Sequence, residues 1–178
     1  MRLAHLREAV EGSLQRLRVE AIELYQLHDP DPRVPLAESI GALADLQRAG
    51  KIRRIGVSNV TAAQLDEART IADIVSVQNE YNARERSSES VLASCERLGI
   101  AFLPYFPLGG TRGLQGGALK RVARRHGASV PQIALAWLLA HSRVMLPIPG
   151  SSSIAHLEEN VAAAAIRLGE TDLRELEG

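Results

Sequence analysis

Tyr25-Gln26-Leu27-His28-Asp29-Pro30 is the stretch on which the reading of this chain turns. An apolar run beginning near Ala21 ends at a histidine, and the proline-rich segment Asp29-Pro30-Asp31-Pro32 follows. Proline fixes its own φ and biases the residue before it toward extended backbone, so the segment after His28 reads as a loop. His28 is therefore placed at the C-terminal end of a strand.

Working outward, helical and extended patterns alternate. Leu6, Val10, Leu14 and Leu17 have helical spacing ahead of that first strand, which is expected over about 21–28. A helix is expected over 35–49 with Gly50 as its stop. Arg54-Ile55-Gly56-Val57-Ser58 reads as a second strand, and Thr61 as the N-cap of a helix reaching about Ala72. A third strand is expected over 74–80. A helix opening at Ser87 or Ser88 then runs to Arg97, with Gly99 beyond it. A fourth strand is expected over 101–106, then the glycine-rich loop 109–117, then helices over 118–126 and 130–141. A fifth strand over 144–149, a helix over 154–165 and a short helix from Thr171 complete the pattern.

Strands that alternate with helices require crossover connections and hence a parallel sheet. An open doubly wound sheet and part of an eight-stranded barrel both fit. Polar residues help to choose: His28, Ser58, Asn59, Gln78, Asn79, Tyr105 and Ser151 all fall at or just past the C-terminal ends of the expected strands. That is where barrel enzymes carry their sites.

The 178 residues are read as one domain, 1–178, with 46% hydrophobic residues to supply a core. A formal net charge of zero excludes a nucleic-acid binder that works through a broad basic face, and equally a polybasic membrane-surface protein. Cys95 is the one cysteine, which excludes an internal disulfide framework and a cysteine-based zinc site. Its helical setting marks it as a buried structural thiol. The chain has neither an 18-residue apolar run nor a signal-peptide core at its N-terminus, so a cytoplasmic location is expected.

Five segments taken together resemble the C-terminal part of the aldo-keto reductase family. They are Tyr25-Gln26-Leu27-His28, Gly56-Val57-Ser58-Asn59, Val77-Gln78-Asn79-Glu80, Tyr105-Phe106-Pro107-Leu108-Gly109, and Pro149-Gly150-Ser151-Ser152-Ser153 with Glu159-Asn160. The resemblance implies a partial (β/α)8 TIM barrel corresponding to strands 4–8. It implies NADPH as cofactor, with NADH as the other candidate, and a small aldehyde or ketone as substrate. Of the family's Asp, Tyr, Lys and His tetrad, the His alone has a counterpart, His28, whose role would be to orient and polarise the carbonyl. The other three precede the His strand in family members, so the proton-donating part of the site is expected to be missing from this chain.

The resemblance also implies cofactor contacts. Ser58, Asn59 and Gln78 would hydrogen-bond the nicotinamide carboxamide, and Tyr105 would stack on the ring. Phe106, Leu108 and Gly109 would form the pyrophosphate turn. Ser151, Ser152 and Ser153 would meet the adenosine phosphate at the start of a helix, where anions are favoured. Glu159 and Asn160 would meet the adenine. Two departures stand out: Gly150 where many members carry Lys, and His156 where they carry Arg. A guanidinium is always charged and binds phosphate bidentately, whereas an imidazole titrates near neutrality, which puts selectivity for NADP over NAD in question.

Other features read more plainly. Tyr25 should face away from His28 by strand alternation. Lys51 sits at a helix-to-strand turn, at the wrong end of the barrel, and Tyr81 is expected to pack at the rim rather than replace the missing acid. The loop 109–117 lacks a Walker pattern and reads as a flexible crossover. Lys120-Arg121 and Arg124-Arg125 read as a solvated helix face, Trp137 as core, and His5, His126 and His141 as structural or surface residues. Five strands cannot close an eight-stranded barrel. Open parallel edges are therefore expected, and with them either self-association or poor solubility. Three functional readings stay open: an oxidoreductase that needs residues from elsewhere, a cofactor-binding remnant without turnover, and a truncated fragment without independent function.

Overall fold

The computed structural model describes residues 3–110, 113–114 and 116–177. Thr111, Arg112 and Gln115, within the glycine-rich loop, lie outside the described residues. The chain forms two compact units, one of residues 1–78 with 90–101 and the other of residues 79–89 with 102–178.

The first unit begins with α1 (Leu3–Leu17), then alternates β1 (Ile22–Leu27), α2 (Leu36–Arg48), β2 (Ile52–Ser58), α3 (Ala62–Arg69) and β3 (Ile74–Gln78). α4 (Glu89–Leu98) and β4 (Ala101–Phe102) follow, and the chain passes to the second unit within β4. The sheet order is β1-β2-β3-β4, and the β1–β2 and β2–β3 pairs are parallel. This is the parallel α/β architecture that the alternating pattern predicts.

Each element has a local cause. Thr61 caps α3 with a full capping box: its side chain accepts from the Gln64 amide, and the Gln64 side chain accepts from the Thr61 amide. Gly50 and Gly99 adopt positive φ just past the ends of α2 and α4, where a side chain would be strained. α2 turns Leu36, Ile40, Leu43 and Leu46 inward, while Ile55 and Val57 of β2 are fully buried. Burial of such a side chain stabilises by roughly 1.5–3 kcal/mol. Cys95 is buried in α4, and desolvation pushes its thiol up to about 12. It is inert packing, as expected.

β1 is an edge of the sheet. Its Ile22 amide donates to the Lys51 carbonyl, so residues 22, 24 and 26 turn their backbone groups toward β2. Glu23, Tyr25 and Leu27 turn theirs to the open edge. Leu24, a strand residue, is 37% exposed.

The second unit holds α5 (Gly117–His126), α6 (Val130–His141), α7 (Ile154–Ala162), a 3₁₀ turn (Ala163–Ala165) and α8 (Glu170–Glu177). Two expected strands are cut short here. The strand expected over 101–106 stops at Phe102, and Pro104, which has no N–H to donate, lies just beyond it. Tyr105 then makes a single bridge to Glu80. The strand expected over 144–149 is reduced to one parallel bridge, Phe102 to Met145, because Pro147 and Pro149 cannot extend the ladder.

Tyr81 is also not where the sequence reading put it. It is fully buried in the second unit's core, stacked on Trp137 at 6.1 Å and edge-on to Phe102 at 5.9 Å. Its hydroxyl donates to the Glu89 carboxylate and lies 2.9 Å from His141 Nε2. Burial, then the Glu89 hydrogen bond, pushes its pKa well above the ordinary tyrosine value. A proton held that tightly is unsuited to general acid work.

The basic face of α5 is likewise more than solvated. Arg125 donates to Asp172 Oδ1 at 2.7 Å and to Glu175 Oε2 at 2.6 Å, Arg121 pairs with Glu175, and His126 Nε2 lies 2.8 Å from Asp172 Oδ2. These contacts fasten α8 to α5. The His126 contact first, then Arg125, hold the Asp172 carboxyl at about 2, below its ordinary 3.8. A depressed carboxylate stabilises the fold above its unfolded pKa and loses that contribution as pH falls through the folded one. Asp172→Asn should therefore melt at lower temperature than the parent at pH 7. The gap should shrink below about pH 4 and close near pH 2. Thermal melts across that range check this; a gap independent of pH would contradict it.

Candidate functional site

The strand ends of the first unit form a small polar ledge. Ser58, the last residue of β2, is buried, and its hydroxyl donates to the Gln78 carbonyl at the end of β3, 2.6 Å away. The backbone amide of Asn59 donates to the same carbonyl at 3.1 Å. The Asn59 side-chain amide donates to the His28 carbonyl, just past β1, at 3.1 Å. One cluster of hydrogen bonds thus ties together the ends of three parallel strands. Asn59 makes the turn at φ +57°, a left-handed conformation that asparagine tolerates better than most residues. His28 itself is exposed.

The arrangement has chemical consequences. The Ser58 proton is committed to Gln78, so the hydroxyl oxygen is left as an acceptor for an incoming N–H. Gln78 is half-buried at the same level. An amide-bearing ligand is what such a pair suits. His28, Ser58, Asn59 and Gln78 are thus brought to one end of the sheet, as the sequence reading expects.

In the second unit, Tyr105, Phe106, Pro107, Leu108 and Gly110 line a cleft of about 520 Å³ with Ile148, Pro149 and Gly150. The Tyr105 and Phe106 rings meet edge to face at 5.3 Å. Gly109 closes the turn by donating to the Phe106 carbonyl at 2.8 Å, with φ +78°. A Cβ there would stand 2.7 Å from the Gly113 carbonyl oxygen, so glycine is required. The sequence reading gave no role to Pro107, Gly110, Ile148, Pro149 or Gly150 in this cleft. The proline pair that stops the expected strand was the available signal, since it leaves 147–150 extended but unpaired.

Ser153 is the N-cap of α7: its hydroxyl accepts from the His156 amide at 3.4 Å. The Ser151 hydroxyl accepts from the Ser153 amide at 3.1 Å and lies 2.9 Å from the Ser153 carbonyl. Ser151, Ser153 and His156 are therefore gathered at one helix start, with exposed Ser152 between the two serines. Glu159 and half-buried Asn160 follow on the helix, and the Glu159 carbonyl accepts from Gln132 at 3.2 Å. Among the described residues there is no cluster of histidine, cysteine and acidic side chains able to hold a metal. No described helix is long and apolar enough to cross a membrane.

Comparison with known proteins gives the family. The family model described as the aldo/keto reductase family matches residues 1–178. Pyridoxine 4-dehydrogenase of Escherichia coli is 42% identical over 182 residues, covering 98% of this chain and 63% of its own length. A thermostable aldo-keto reductase solved with the inhibitor epalrestat superposes with a TM-score of 0.92 at 36% identity, covering 99% of this chain and 66% of that one. An aldo-keto reductase of Klebsiella pneumoniae solved with NADPH gives 0.86 at 31% identity, covering 97% and 63%. The chain belongs to the aldo-keto reductase family of oxidoreductases. It spans less than two thirds of the length of each of these three relatives.

The ledge carries its own test. Asn59→Gly keeps the left-handed turn and loses the side-chain interactions, among them the bond to His28, whereas Asn59→Ala loses these and strains the turn as well. The alanine variant should be the less stable of the two by about 1 kcal/mol in urea denaturation. Equal stabilities would mean that the positive φ contributes nothing.

Proposed function

We propose that this chain binds NADPH and contributes the cofactor-holding part of an aldo-keto reductase that reduces a small aldehyde or ketone. The observation that carries the reading is the ledge, where the Ser58 hydroxyl oxygen and Gln78 lie at the C-terminal ends of neighbouring parallel strands. That pair fits a carboxamide, which offers an N–H to Ser58 and a carbonyl to the Gln78 amide. Asn59 serves the same end through backbone and side chain by fixing the strand ends. Tyr105 offers a ring face in a cleft whose size and mostly apolar lining suit part of a planar heterocycle. Phe106, Leu108 and Gly109 shape the turn beside that cleft. Ser151, Ser152, Ser153 and His156 at the start of α7 offer hydroxyls and backbone amides to a phosphate. Glu159 and Asn160 are assigned to the adenine end.

When bound, NADPH supplies the hydride that the carbonyl carbon accepts. His28 would donate a hydrogen bond to the carbonyl oxygen and hold it in place. Tyr81, sealed in the core with its pKa raised, is unsuited to protonate the resulting alkoxide. On this reading, turnover needs an acid from additional polypeptide, and binding does not. The open edge of β1 is the place where further polypeptide, including a second copy of this chain, would pair.

Two measurements test the proposal. Calorimetric titration of NADPH into the chain should give saturable binding; no detectable heat or spectroscopic change would favour a fragment without function. NADPH oxidation with a reactive aldehyde should be absent for this chain alone, and turnover would show that an acid is present after all. His156→Arg should tighten NADPH about tenfold, the worth of one charge-assisted hydrogen bond, while leaving NADH nearly unchanged. Equal gains for both cofactors would remove His156 from the phosphate site.

A further inference from the structure

One layer below the ledge, the sheet carries a second polar set, distinct from the residues assigned to the cofactor. Gln26 precedes His28 by two residues, Gly56 precedes Ser58, and Ser76 precedes Gln78. Strand alternation puts each on the same face as the residue above it. The register aligns them: Gln26 lies opposite Gly56, and Gly56 opposite Ser76.

Gly56 is the gap between the two side chains. A Cβ on it would stand 2.3 Å from Ser76 Oγ and 2.9 Å from Gln26 Cγ, so both neighbours lean over the glycine. Gln26 Oε1 and Ser76 Oγ are sealed from solvent, and neither has a hydrogen-bond partner within the protein. Ser76 as a whole is 2% exposed. Two orphan oxygens on side chains that flank the same glycine are expensive, because each gives up its bonds to water and receives none from the protein. Most buried polar groups in proteins escape that penalty through a protein partner or an ordered water.

We propose that Gln26 Oε1 and Ser76 Oγ bind one ordered water over Gly56, and that this water sets the spacing of β1, β2 and β3 beneath the ledge. The water donates one proton to Gln26 Oε1, which can only accept. It exchanges its second bond with Ser76 Oγ, which can do either. A buried water needs a polar niche with at least two partners, and this layer supplies them. Gly56 is then required for room: a side chain at 56 would occupy the space over which the pair leans. Gln26 and Ser76 are positioning residues, acting through the Ser58–Gln78 contact one step above. Their relevance to cofactor binding rests on the reading of that ledge; the water does not.

A crystal structure of the full chain should show density within hydrogen-bond distance of both oxygens. A direct Ser76–Gln26 hydrogen bond there, or a dry contact, would overturn the proposal. Ser76→Ala and Gln26→Met should each lower the thermal midpoint by about 2–6 °C. The double variant should melt no lower than the worse single, since both remove the same water. Higher midpoints would mean that the two atoms are unsatisfied and better replaced by carbon. Ser76→Thr against Ser76→Val separates hydroxyl from shape, because the two are nearly isosteric. The threonine variant should melt higher and bind NADPH about tenfold more tightly than the valine variant. Identical behaviour of the pair would overturn the positioning role. The density and the melts need no cofactor, so they are decided whether or not NADPH binds.

Discussion

The Gln78 carbonyl oxygen is the point on which the strand ends depend. It accepts from the Ser58 hydroxyl and from the Asn59 amide, and Asn59 in turn holds the carbonyl of His28. Parallel strands present slanted, evenly spaced bonds that run out at their C-terminal ends, leaving groups without a ladder partner. Here those groups are satisfied by the Ser58 and Asn59 side chains and the Asn59 amide. Structure and candidate chemistry share the same few bonds, so loss of one should disturb both.

Proline decides where the regular sheet stops. Pro104 lies just past the end of β4, and Pro147 with Pro149 reduces the following extended segment to a single bridge. The same interruptions give rise to the cleft of the second unit, because an extended segment that cannot pair leaves Ile148, Pro149 and Gly150 lining a space beside Tyr105. Gly109 completes the turn at a position where any Cβ would collide with the backbone of Gly113.

Much of this was legible in the sequence, for identifiable reasons. Short apolar runs bounded by glycine and capping residues marked β1, β2 and β3 and the helices between them, because those signals are local. The placement of His28, Ser58, Asn59 and Gln78 at strand ends followed directly from where the runs stopped. What was not legible depends on partners distant in sequence. Nothing near Tyr81 announces His141, 60 residues away, so its burial in the core could not be read locally. Arg125 reads as one of four solvated cations in sequence because its partners, Asp172 and Glu175, lie on another helix about 50 residues on. In the fourth and fifth extended segments the apolar runs predict longer strands than the prolines permit. The orphan pair Gln26 and Ser76 depends on the register of three strands, which single-strand periodicity does not give.

The proposed function depends on the ledge holding the cofactor. Amide hydrogen exchange across residues 57–60, measured with and without saturating NADPH, addresses it directly. The prediction is slowed exchange at Val57, Ser58 and Asn59 when NADPH is present, with little change in the 29–33 loop. Unchanged rates at 57–60 under conditions where NADPH is shown to bind would contradict it.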